Sequence, residues 1–126
     1  MAVGWAAAFA NSQLSVLRGT SHAGVSVYAK LHTGDPGSAG TANASAVTTR
    51  NQVTFGSAPS AGVLAATSIP SWSMTATETI THISLWDAAS AGNLIATVAL
   101  GSSKAVNASD TLTLTSLQFT RSPLAA

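Results

Sequence analysis

From residue 25 onward, apolar positions recur at every second residue, the spacing of β-strands. Val25, Val27, Ala29 and Leu31 alternate with Ser26, Tyr28 and Lys30, a half-buried strand that stops at Leu31-His32-Thr33. Residues 51–55 alternate again, with Val53 and Phe55 on one face and Gln52 and Thr54 on the other. Shorter runs at 63–69 and 72–74 are separated by Pro70, whose missing N–H suits an edge or a break. The strongest pattern is 79–86: Ile83 and Leu85 share one face, and Ile80, His82 and Trp86 share the other, so both faces are expected to be covered. Residues 87–93 form a turn cluster leading into an apolar run at 94–100, which predicts a hairpin. Residues 101–110 read as a loop with a short strand at Ala105 and Val106. In 111–119, Leu112 and Leu114 lie in one phase and Leu117 and Phe119 in the other, which predicts a bulge near Ser116.

Only residues 2–18 follow helical spacing. They are alanine-rich and free of proline, with Trp5, Phe9, Leu14, Val16 and Leu17 forming roughly one stripe, Arg18 near the C-terminal dipole and Gly19 placed as the cap. The stripe can dock on the chain's own core or on a neighbouring subunit. Gly34 to Thr49 is poor in bulky side chains and rich in Gly, Ala, Ser and Thr, so a long surface loop facing a partner is expected there. Seven or so short strands and one helix predict an all-β protein, an antiparallel β-sandwich or barrel-like domain with one N-terminal helix, in a single domain over 1–126.

Composition changes this picture in one direction. Charged residues are 7% of the 126 positions, against about 25% in an ordinary soluble protein. So little electrostatic protection against self-association implies that much of the surface is covered by copies of the chain or by other subunits. The five cations and four carboxylates are scattered singly, which excludes the clustered basic footprint of a nucleic-acid binder. Cysteine is absent, excluding disulfides and thiol catalysis. No run reaches the length of a membrane span. Ala8 to Ala10 imitates a cleavage site, but no Lys or Arg precedes the apolar run, so no signal peptide is expected.

Candidate chemistry is sparse. In Leu31-His32-Thr33-Gly34-Asp35-Pro36-Gly37, His32 and Asp35 are spaced as a metal or acid-base pair could be, yet no further ligand stands at a recognised spacing. Turn chemistry explains the same letters: Asp35 can accept from backbone N–H groups two residues on, Pro36 presets φ, and the glycines tolerate positive φ. No Gly-x-Ser-x-Gly elbow and no phosphate-binding loop is present. No catalytic, cofactor or metal residues are therefore assigned. The three tryptophans and Tyr28 could form a glycan-stacking platform, with core packing as the simpler account.

Five stretches taken in order carry a resemblance: VLRGT at 16–20, VYAKLHTGDPG at 27–37, TRNQVTFGSA at 49–58, THISLWDAASAGNLIATVAL at 81–100 and VNASDTLTL at 106–114. Together they resemble small tail fibre and minor tail proteins of tailed bacteriophages. The resemblance implies a non-enzymatic structural component of the virion. Taken with the low charge and the β pattern, it leads to the expectation of a tail or tail-tip protein, made in the host cytoplasm and assembled as a closed oligomer, a trimer, with other virion proteins around it. Capsid decoration and adhesion to a host-surface glycan are the alternatives. Residues expected to meet partners are Trp5, Phe9, Leu31, His32, Asp35, Pro36, Gly37 and Trp86.

Overall fold

The computed structural model describes residues 4–19, 21, 25–56, 63–68, 70–114 and 117–120. The chain runs through β1 (Gly4–Trp5), α1 (Ala7–Leu14), a 3-10 turn (Ser15–Arg18), β2 (Val27–His32), β3 (Asn51–Phe55), β4 (Val63–Ser68), β5 (Ser71–Ser73), β6 (Glu78–Trp86), β7 (Leu94–Val106), β8 (Thr111–Thr113) and β9 (Gln118–Thr120). Seven strands form one antiparallel sheet in the order β1-β7-β6-β2-β3-β4-β9, curled into a half-barrel, and β5 and β8 pair separately. This is the barrel-like form of the predicted all-β architecture.

The alternation in β2 and β6 translates directly into register. Ala29 pairs with Leu85 and Leu31 with Ile83, so the two apolar sets meet on one face and form the centre of the core with Val53, Trp72, Met74, Ile80 and Val106. On the other face Tyr28 pairs with Trp86 and His32 with His82.

Long-range pairing corrects two sequence expectations and bears on a third. The helix over 2–18 is shorter: Gly4 and Trp5 are extended and pair with Thr97 and Ala96, and Ala6 donates its N–H to Ile95 O at 2.8 Å. The edge of β7 offers these backbone groups partners that a first helical turn lacks. Helical structure then begins at Ala7, with no buried residue, and ends at Gly19, whose φ of 85° is the left-handed cap the sequence anticipates. Within the apolar stripe Phe9 packs against the core, while Leu14, Val16 and Leu17 stay exposed.

The loop expected at 101–110 is mostly strand. β7 continues to Val106 because Lys104, Ala105 and Val106 pair with Ile80, Thr79 and Glu78, and the Gly-Ser stretch is absorbed as a register shift opposite Ile80 and His82. The phase flip in 111–119 is a change of sheet. Leu112 pairs with Trp72 in the two-stranded ribbon, and Phe119 pairs with Leu64 at the far edge of the large sheet. Ser116, where a bulge is expected, lies outside the described residues, as does Ile69.

Candidate functional site

Two places concentrate the residues singled out by sequence: the segment after β2, and the N-terminal edge of the sheet. The first begins at His32, which has no exposed surface. Its Nδ1 lies 2.8 Å from Ala42 O. A carbonyl only accepts, so Nδ1 carries the hydrogen and Nε2 of the neutral ring is the acceptor. Ser84 Oγ, 2.7 Å away, therefore donates to Nε2 and itself accepts from Trp86 Nε1–H at 2.7 Å. The result is a directional chain from Trp86 through Ser84 and His32 to the carbonyl of Ala42, and it ties β6 and β2 to the loop that leaves β2.

The loop folds back on that chain. Thr33 N–H donates to Asn43 O at 2.8 Å, Ala42 N–H to Pro36 O at 2.9 Å, and Ser45 N–H to Leu31 O at 3.1 Å. Asp35 Oδ1 accepts from Gly37 N–H at 2.9 Å, the turn contact read from the sequence. Asn43 Nδ2 donates to Asp35 O. Pro36, Gly40, Ser45 and Val47 are buried, and the Ser45 hydroxyl donates to the Glu78 carboxylate. The segment is thus a compact loop lying over the outer face of β6, ordered by its own hydrogen bonds. An external partner is not needed to order it. Replacing Asp35 with alanine removes one charge-assisted contact and is expected to lower stability by about 1 kcal/mol, read as a shift of a few degrees in calorimetric melting.

Beside it the guanidinium of Arg50 lies 4.0 Å from the Trp86 ring centroid. The same group donates to Ala88 O at 3.0 Å and Ala91 O at 2.7 Å, and so grips the turn between β6 and β7. Asp87 closes that turn by accepting from Asn93 N–H at 2.7 Å.

At the second place, Trp5 stacks on Phe9 with ring centroids 5.6 Å apart and on Phe119 at 5.0 Å. Phe119 meets Phe55 at 5.7 Å. β1 and β9 are the two outermost strands, so among the described residues aromatic rings, and no backbone ladder, bring the edges of the curled sheet together. Burial pushes the His32 imidazole below its ordinary pKa, with Lys30 and His82 adding to the effect and the Ala42 carbonyl opposing it. Among the described residues no group of three or more His, Asp or Glu could hold a metal, and no helix is long and apolar enough to cross a membrane.

A family model described as podophage GP4 fiber I protein gp80 matches residues 4–122. The chain belongs to that family. Comparison with curated proteins gives no match. The family is one of phage fibre proteins, which places the chain in the virion and gives it a structural role.

For a fibre-family chain the residues expected to meet partners divide sharply. Leu31, His32, Pro36 and Trp86 are turned inward, the most exposed of them, Trp86, at 7%. Apolar and hydrogen-bonding groups of the same chain surround them here. Asp35 and Gly37 are half-buried within the turn, Phe9 is half-buried, and Trp5 is 43% exposed. Sequence reading missed Ala42, ten positions from His32, and Ser84 and Arg50, whose bonds span 52 and 38 positions of chain. The alternating pattern around Ser84 placed it on the same face as His82 and Trp86, the one signal available.

Proposed function

We propose that the chain is a non-enzymatic component of the tail or tail tip, assembled as a closed oligomer, a trimer, and held there by its N-terminal segment. One observation carries this reading. The exposed large apolar side chains of the described residues are Trp5, Leu14, Val16, Leu17 and Val25, grouped at one end of a chain with 7% charged residues, and such grouped exposure marks an interaction surface. Trp72 and Trp86 are buried, which leaves Trp5 as the exposed indole and favours assembly over a glycan-stacking platform. The outward rim of the loop, Ser38, Ala39 and Thr41, is open to a neighbouring subunit.

Mass spectrometry of purified particles together with immunogold labelling tests the assignment. Gold on the tail is expected. Gold over the head would transfer the chain to capsid decoration, and its absence from particles would remove the virion reading. Association driven by apolar burial, at about 25 cal/mol per Å², is nearly independent of ionic strength. Sedimentation velocity is therefore expected to give the same oligomer at about 0.1 M and about 1 M salt, concentrations that span strong and weak screening. Dissociation at the higher salt would assign the interface to ion pairs instead.

A further inference from the structure

The N-terminal segment touches the rest of the fold through a narrow contact. β1 supplies two register pairs, Gly4 with Thr97 and Trp5 with Ala96. Ala6 adds its bond to Ile95 O, Gly4 N–H also donates to Thr97 Oγ1 at 3.2 Å, and the Trp5 ring rests on Phe119. From Ala7 to Arg18 no residue is fully buried, and Phe9 packs against the margin of the core. Leu14, Val16 and Leu17 are 55%, 50% and 87% exposed, and Val25, across the connection into β2, is 44% exposed.

We propose that this segment is exchanged between copies of the chain, residues 4–9 of one copy occupying the slot on β7 and Phe119 of the next. The inference deepens the assembly reading above and rests on it. Each contact of β1 joins the segment to the body, so all of them are kept when the segment comes from a second copy. What changes is the connection. In exchange it becomes the crossover between subunits, where Leu14, Val16, Leu17 and Val25 of adjoining copies approach and cover apolar surface that a self-contained chain leaves in water. Gly4 sits at φ 137°, a conformation that favours glycine, and each copy of this chain carries glycine there. Passing the segment to the next subunit in a cycle closes a ring of any small order, a trimer included.

Direct pairing of β7 edges is the rival route to self-assembly. The register shift in β7 opposite Ile80 and His82 and the exposed Lys104 within it are devices that protect an edge from pairing.

Full-length chain with Phe9 replaced by p-azidophenylalanine, mixed in equal parts as unlabelled and 15N-labelled protein and refolded together, tests the exchange. After irradiation the oligomer fraction is expected to yield cross-links from position 9 to the body in which the two peptides carry different isotopes, in the share set by random mixing. The same photoprobe at Ala7, which is exposed, guards against a folding defect at position 9. Cross-links confined to peptides of one isotope in an oligomer would overturn exchange and leave the assembly reading intact. A chain that stays monomeric throughout would overturn both.

Discussion

Replacing His32 with alanine is expected to cost about 3–5 kcal/mol, the range for truncating a large buried side chain with partners. The ring has no exposed surface. Its loss opens a cavity between β2 and the loop, removes the acceptor of the Ser84 hydroxyl, and leaves the Ala42 carbonyl without its donor. Urea unfolding followed by tryptophan fluorescence measures the change. Because Trp86 is tied to the same chain of hydrogen bonds, its emission is expected to report loosening of the loop before the global transition. A loss below about 1 kcal/mol, the scale of one ordinary hydrogen bond, would show that the histidine does not hold the loop.

The same residue gives the fold a pH dependence of defined sign. An unfolded histidine takes up its proton near pH 6.5, and burial holds folded His32 below that value. Below pH 6.5 the unfolded chain therefore binds more protons than the folded one, and stability falls with falling pH until the folded ring itself titrates. Above that range His32 contributes no slope. Melting temperatures from about pH 7.5 to about pH 5, a window bracketing the histidine's ordinary titration, are expected to decline in the native chain and to decline less in His32→Gln. The groups facing the ring add to the effect, since Lys30 and His82 both disfavour a further positive charge there.

Gly40→Val is expected to be comparably severe, about 3 kcal/mol or more, because steric overlap and backbone strain act together. Gly40 is buried at φ 71°, and a Cβ there would stand 2.6 Å from Leu94 Cδ1 and 3.2 Å from Trp86 Cζ2. A side chain at this position forces Leu94 to move and crowds Trp86, in addition to the backbone strain. Gly37 supplies the contrast. Its φ is 76°, but a Cβ would meet only Ala42 Cβ, at 3.9 Å, so Gly37→Ala carries the backbone term alone, about 1 kcal/mol. Equal losses at the two positions in thermal unfolding would contradict close packing of the loop on Trp86.

The alternation of β2 and β6, the Asp35 turn and the cap at Gly19 were legible in the amino-acid order, because each depends on residues within a few positions of one another. Tertiary structure alone decided the rest. His32 stands 52 positions from Ser84, so no local spacing could reveal that it is a buried anchor and not a surface ligand. Trp5 left the helix that its neighbours favoured because β7, more than ninety positions away, offered its backbone a ladder, and β7 ran through a Gly-Ser stretch because Glu78 to Ile80 stood opposite it. Local preferences amount to tenths of a kcal/mol per residue, and they yield wherever distant strands supply hydrogen bonds and apolar cover that short-range order lacks.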